Sequence, residues 1–276
     1  MTRGKTAAAS LALHLALGLL ALATLLPLIW MVSASFMPPG EATTDPPPFF
    51  PSRLTLENYH NLFARLSLGR HLLNSLGVAV GGTLLSLLFN SMAGYAFAKL
   101  RFGGRDRIFA ILIAALAIPG QVGMLPLFLL MRQLGLVNTY LGVVIPSLAS
   151  ILGIFLVRQF ALSIPDELLD AARVDGAGEL RIFASVVLPL MRPVLATLAI
   201  ITFMNTWNDF LWPLIVLTDD ARQTLPVALA RLVGEHALDT ELMMAGAVLT
   251  VLPVLLVFLA LQRSYIEGIL MGSVKG

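Results

Sequence analysis

No cysteine occurs in this 276-residue chain. Disulfides, thiolate metal sites and cysteine nucleophiles are thereby excluded, and the redox compartment leaves no trace. Charge is nearly as scarce. Only 12% of residues are charged, against about 25% in a typical soluble domain, so the chain lacks the polar surface that water requires. The net charge of +2 is too small for a nucleic-acid surface, and no nucleic-acid partner is expected. The four histidines, His14, His60, His71 and His236, have no metal-ligand spacing, and Glu235-His236 lacks the second histidine of a zinc-protease helix. No metal site is expected. Gly4-Lys5-Thr6 matches only the end of a phosphate-binding loop, without the earlier glycine or a preceding strand. No Ser/His pair sits at matching depth in two spans, and no other catalytic constellation is present. The expectation is a protein that is not an enzyme and binds no cofactor itself.

What the chain does have is apolar length. Hydrophobic residues make up 58% of it, and its mean hydropathy is +0.87. A helix crossing the hydrocarbon core needs roughly 20 mostly apolar residues. Six stretches qualify: Ala8 to Met31, Leu72 to Ala98, Ile108 to Met131, Leu141 to Leu162, Val194 to Leu217, and Leu242 to Leu261. The fold expected is all-α, with about six transmembrane helices. With the N-terminus in the cytoplasm, Arg53, Arg65, Arg70, Arg132, Arg222 and Arg231 fall outside and the other 12 of the 18 basic residues inside. That bias orients the protein with both termini cytoplasmic. Arg3 and Lys5 before an apolar run also describe a signal peptide, and Val32-Ser33-Ala34 resembles its cleavage site. The run exceeds the 7 to about 15 residues of a signal core, which favours a retained helix.

The organisation expected is an N-terminal helix over 1–34, an external segment over 35–71, a five-helix core over 72–262 and a cytoplasmic tail over 263–276. The external segment carries Pro38-Pro39, Pro46-Pro47-Pro48 and Pro51, which force an extended course. Leu56, Tyr59, Leu62 and Phe63 then recur at helical spacing and predict a short helix on the membrane surface. Pro27, Pro119, Pro126, Pro146, Pro213 and Pro253 fall within the spans. They fit bent helices around a pathway, and equally the general frequency of proline in membrane helices. Gly77-x-x-x-Gly81 permits close helix contact.

Between the fourth and fifth spans lies a loop, 163–193, that is predicted to be cytoplasmic. Ser163 and Asp166 have capping-box spacing, with Pro165 tolerated in the first turn. A helix is expected over 165–174, ended by Asp175-Gly176. A second helix carries Leu180, Phe183, Val187 and Leu188 before Pro189 and Pro193. Ala171, Ala172, Gly176 and Ala177 have little bulk, and Asp166, Glu167, Asp170, Arg173 and Asp175 form a charged rim. Small residues inside a polar rim suit a helix docked in a partner's cleft; an amphipathic helix lying on the membrane fits the composition as well.

Asp170-Ala-Ala-x-x-Asp-Gly-Ala, with Phe183 and Leu188-Pro189-Leu190 following, closely resembles the EAA loop of binding-protein-dependent ABC importer permeases. Asp170 replaces the glutamate that opens the family pattern and keeps its carboxylate. Gly94-Tyr-Ala-Phe-Ala-Lys-Leu-Arg-Phe-Gly-Gly-Arg105, Asn138-Thr-Tyr-Leu-Gly142, Trp207-Asn-Asp-Phe-Leu-Trp-Pro-Leu214 and the tail Gly268-Ile-Leu-Met-Gly-Ser-Val-Lys-Gly276 are similar to the carbohydrate-uptake, maltose-type branch, and in particular to its smaller permease subunit. The resemblance implies a type I importer transmembrane domain in the cell (inner or plasma) membrane. It implies a heterodimer with a second permease, two ATP-binding subunits that use ATP and Mg, and an external solute-binding protein, for import of a sugar or related polyol. Asp170, Ala171, Ala172, Asp175, Gly176, Ala177, Phe183 and Pro189 would couple to the ATPase, and Gly268, Gly272 and Lys275 of the tail would also touch it.

Helical spacing places Asn205, Asn208 or Asp209, and Trp212 on one face of the fifth span. An ionisable residue at membrane depth faces a cavity or a partner. Amides, a carboxylate and an indole suit a sugar; they also suit helix-to-helix locks, or an outer interface for Asp209. An ion-coupled secondary transporter is the rival class, with Asp209 as the one carboxylate available in the spans and no inverted repeat evident.

Overall fold

The computed structural model describes residues 2–65, 67–235 and 239–273, with side chains over 10–64, 67–231, 239–260 and at 262. Every regular element among them is helical. In chain order these are α1 (Thr2–Ala34), α2 (Glu57–Arg65), α3 (Leu68–Lys99), α4 (Arg105–Ala115), α5 (Met124–Gln133), α6 (Tyr140–Val144), α7 (Ile151–Leu162), α8 (Asp166–Val174), α9 (Glu179–Ile182), α10 (Leu188–Leu190), α11 (Arg192–Trp207), α12 (Leu211–Val216), α13 (Leu225–Glu235) and α14 (Thr240–Ser273). Two compact units emerge: Met1–Leu68 with Leu229–Leu252, and Gly69–Ala228 with Pro253–Gly276.

In the first unit, α1 exposes leucines on all sides from Leu11 to Leu28, the pattern of a helix solvated by lipid. The proline-rich segment folds back on its end. The Trp30 indole donates to Pro48 O (3.0 Å) and Ser33 Oγ to Phe49 O (2.6 Å). Asn58 of α2 donates to Ser35 O and Met37 O at 3.0 and 2.8 Å, satisfying carbonyls left free just past a helix C-terminus. A short helix thus forms where the apolar spacing predicts one. Leu56 precedes α2 and is exposed, whereas Asn58 and Leu62, one turn apart, are both fully buried. The helix is held by an amide clamp that an apolar-spacing argument passes over.

Among the described residues, three helices are long and apolar enough to cross a membrane uninterrupted: Ser10–Ala34, Leu68–Lys99 and Thr240–Ala260. Three bent pairs raise the count to as many as six. The prolines divide sharply in effect. Pro27 and Pro253 lie inside unbroken helices. Pro119 instead follows a turn, and the helices on either side of it meet at 100°, because the residue before a proline is pushed out of the helical region. The stretch 141–162 bends by 45°, where Ser150 caps α7 through Gly153 N–H (3.0 Å). The predicted span 194–217 is broken between Trp207 and Leu211. The last predicted span, 242–261, agrees with the candidate span Thr240–Ala260, and α14 itself continues to Ser273.

Among the described residues the second unit has two buried clusters. One joins Tyr95 and Ala98 of α3 to Val157 and Ala161 of α7, and to Ile164, Leu169, Ile182, Phe183, Val187, Met191 and Leu198. The other gathers Val78, Met131, Val143, Val144, Trp212, Val216 and Leu217. At Gly94, α3 approaches α7 closely: a Cβ built there would lie 2.5 Å from Val157 Cγ1 and 2.9 Å from Arg158 N. Gly77 and Gly81 have nothing within 4 Å of such a Cβ. The small-residue motif singled out in the sequence is not the contact this chain makes with itself.

Candidate coupling loop and solute path

α8 forms where the sequence places it, but not through the capping box. Ser163 Oγ donates back to Phe160 O (2.7 Å), and Pro165 at the cap position makes no side-chain bond. Asp166 and Glu167 in the first turn and Arg173 in the last match the helix dipole instead. Leu169 is the only buried residue of α8 and anchors it in the first cluster. At the other end Gly176 adopts φ +78°. Ala177 N–H then bonds Ala172 O and Gly176 N–H bonds Arg173 O, both at 3.0 Å, which makes a Schellman closure. Ala171, Asp175 and Gly176 are exposed, and Ala172 and Ala177 half-buried.

The charged rim is largely committed within the loop. Arg173 donates to Asp170 (2.8 Å) and to Glu179 (2.9 Å), and the Tyr95 hydroxyl donates to the other Glu179 oxygen at 2.8 Å. Lys99 donates to Ile164 O and Asp166, each at 2.6 Å. Phe183 is buried against the Tyr95 ring, with centroids 5.7 Å apart, and Pro189 is exposed. Thus the end of α3 grips the loop from two side chains one turn apart. Tyr95, Lys99 and Glu179 were absent from the sequence-based site. The one available signal was Tyr95 and Lys99 as i, i+4 polar residues closing an apolar span. Sequence reasoning also missed that Val174 and Leu180, 88% and 76% exposed, flank the turn as its most prominent side chains. After Phe183 the helix widens into a π turn over Phe183–Val187, and the segment Glu179–Leu190 meets α11 at 80°.

The four residues of the fifth span are not brought together on one helix face. α11 ends at Trp207, because Asn208 and Asp209 compete for backbone groups that a helix needs. Asn205, Asp209 and Trp212 do line one recess of about 250 Å³, with Met124, Leu127, Val143, Pro146, Ser147 and Thr206. Asn208 is not part of it, and its amide donates to Met204 O (2.8 Å). The Trp212 indole N–H is spent on Gly142 O (3.1 Å), and an Asp209 oxygen accepts from Trp212 N–H at 3.4 Å. Gly268 and Gly272 fall on α14 beyond its described side chains, and Lys275 lies outside the described residues, as does His236. Among the described residues no cluster of His, Asp or Glu could hold a metal.

Residues 90–269 match the family described as the binding-protein-dependent transport system inner membrane component. The chain belongs to that family. This permease is 42% identical over 253 residues, 91% of each chain, to the arabinooligosaccharides transport system permease protein AraQ of Halalkalibacterium halodurans. It is 37% identical over 259 residues, 94% of each chain, to the lactose transport system permease protein LacG of Rhizobium radiobacter. The crystal structure of a bacterial ABC transporter involved in the import of the acidic polysaccharide alginate contains a chain with TM-score 0.82 and 27% identity, covering 93% of this chain and 96% of that one. The chain is thus a transport component of an inner membrane, not a catalyst, and permease of a binding-protein-dependent ABC importer.

The permease's loop contains two perturbed carboxyls. Arg173 bonded to Glu179 holds that carboxyl below its ordinary range, and Lys99 bonded to Asp166 does the same there. With folded-state values depressed, both pairs contribute fully above the unfolded pKa and are lost only as pH falls through the lower, folded values. Protection of the loop amides in hydrogen exchange should therefore hold from about pH 8 to about 5 and decline only below about pH 4. A decline already complete at about pH 6 would contradict the pairing.

Proposed function

We propose that this permease forms half of the translocation path of a type I importer for a sugar or related polyol, and that the loop 163–193 is its coupling element. The observation that carries the reading is the rigid, exposed turn at Gly176. Its inner side is fastened to α3 by Lys99 and Tyr95, while Val174 and Leu180 stand clear of the fold. An apolar projection of this kind, held by ion pairs and a buried Leu169, suits a cleft in an ATP-binding subunit. Asp170, Ala171, Ala172, Asp175, Gly176 and Ala177 shape the contact, and Phe183 and Pro189 stiffen its exit toward α11.

Six spans, both termini in the cytoplasm, complete the proposal. They are α1, α3, α4 with α5, α6 with α7, α11 with α12, and α14. The partners are a second permease in a heterodimer, two ATP-binding subunits that use ATP and Mg, and an external solute-binding protein. ATP binding and hydrolysis shift a two-state element by differential affinity for its states, and the 80° junction at Met191 is where loop motion enters the span. The sugar class is supported by the names of the relatives and by the recess of Asn205, Thr206 and Asp209, whose polar groups match hydroxyls. Gly268, Gly272 and Lys275 make a second contact with the ATPase.

The test is reconstitution with the ATP-binding subunits and the binding protein in proteoliposomes, followed by oligosaccharide uptake. Uptake should require ATP and survive proton and sodium ionophores, and Asn205→Leu with Asp209→Leu should raise the half-saturating solute concentration or abolish transport. ATP-independent, ion-driven uptake by this chain alone would sink the proposal.

A further inference from the structure

The loop after α3 is basic beyond what its own fold uses. Arg101, Phe102, Gly104, Arg105, Asp106 and Arg107 line an open recess of about 530 Å³. Asp106 is the one acid among these lining residues, and that carboxylate is already taken by Arg105 Nε at 3.0 Å. Arg105 also reaches Leu100 O at 3.4 Å. Arg101 and Arg107 are exposed and have no hydrogen-bond partner among the described residues. Gly104, at the cap of α4, has no side chain to satisfy the first N–H groups of that helix. The recess therefore presents to one volume a positive helix end and two guanidinium groups without hydrogen-bond partners among the described residues, Arg101 lying within electrostatic reach of Asp166.

What adjoins it is apolar and uncovered. Arg107, Ala110, Ile111 and Ala114 follow helical spacing along α4, and all are exposed. Ile111 is 68% exposed and Ile118, just past the helix, 64%. A cationic pocket beside an exposed apolar stripe matches a two-part ligand. A free phosphate would use only the pocket, and an acidic protein segment would leave the stripe to the bilayer. We propose that this corner binds an anionic phospholipid of the inner leaflet, its phosphate held by Arg101 and Arg107 and its acyl chains lying along Ala110, Ile111 and Ala114. Guanidinium groups bind phosphate oxygens in bidentate fashion, and juxtamembrane arginines attract anionic headgroups. The leaflet assignment rests on the orientation proposed above; the headgroup assignment does not. The consequence is a tether at the C-terminal end of α3, beside the residues that grip the loop 163–193.

The experiment uses the assembled transporter in nanodiscs of phosphatidylglycerol diluted in phosphatidylcholine, with co-purifying lipid counted by native mass spectrometry. The wild type should retain phosphatidylglycerol in excess of its bulk share. Arg101→Gln and Arg107→Gln should each lower that excess about fivefold, and the pair about 25-fold, whereas Arg132→Gln should leave it unchanged. An unchanged excess in the double variant overturns the proposal. So does competition by inorganic phosphate, which assigns a free-anion site, or a cross-link from position 107 to a partner subunit, which assigns a protein neighbour. The chain's lack of cysteine allows Phe102→Cys to report sidedness alone. Labelling by an impermeant maleimide from the outside would overturn the orientation and the leaflet while leaving the lipid count to stand or fall by itself.

Discussion

Replacing Gly176 with valine should reduce solute uptake at least about tenfold while the ATP-binding subunits continue to hydrolyse ATP. Space is not the obstacle, since nothing lies within 4 Å of a Cβ built on Gly176. The obstacle is the backbone sign. At φ +78° an L residue incurs about 1–2 kcal/mol, and a β-branched side chain is the worst choice for that region. The cheapest relief is to abandon the left-handed turn. Doing so breaks the bonds from Ala177 to Ala172 and from Gly176 to Arg173, each worth about 1 kcal/mol. Val174 and Leu180 sit on either side of that turn, so their relative placement goes with it. Gly176→Asn separates backbone from bulk, because asparagine tolerates the left-handed conformation; it should keep most of the uptake. The measurement is uptake and ATP hydrolysis in the same proteoliposomes. Equal uptake by the valine variant and the wild type would exclude this loop as the coupling element. Asparagine as damaging as valine would move the cause from backbone to bulk.

The loop was the most legible part of the sequence because its signals are short-range. Pro165, the run of good helix formers and Asp175-Gly176 each act within one turn, and they fixed α8 to within a residue. The use of its charges was not legible. Glu179 carries no local sign of its role, which is set by Tyr95, 84 positions away, through a hydroxyl at 2.8 Å. The span 194–217 was legible only in part, for a different reason. A hydropathy window sums composition and is blind to order, so 194–217 reads as one helix although Asn208 and Asp209 end α11 and turn the Trp212 indole toward Gly142. The recess therefore kept Asn205, Asp209 and Trp212 and lost Asn208, whose amide turns back to its own helix. Asn58 shows the same limit from the polar side. Nothing local marks it as buried, and only the carbonyls of Ser35 and Met37 define its place.

The glycines of α3 give the sharpest contrast between motif and contact, and a second large effect. Gly94→Leu should yield little or no folded permease, and Gly94→Ala should lower stability by about 1–3 kcal/mol, the cost of overpacking. A Cβ at position 94 meets Val157 Cβ at 2.6 Å and the backbone nitrogen of Arg158 at 2.9 Å. A side-chain terminus could swing aside; the backbone of α7 cannot. In lipid there is no hydrophobic drive to hold two displaced helices together, and association depends on close packing itself. The α3–α7 contact also positions the grip on the loop, because Tyr95 follows Gly94 directly and Lys99 lies little more than one turn on. Separating the helices would pull both away from Glu179 and Asp166. Gly77→Ala is the matched control, identical in chemistry on the same helix. With nothing within 4 Å, it should be neutral or gain up to about 1 kcal/mol from helix propensity. Thermal melting of the detergent-purified permease, read by size exclusion, distinguishes the two. If Gly77→Ala lost as much stability as Gly94→Ala, the close approach at Gly94 would not be what holds the core, and the loop's attachment to α3 would need another origin.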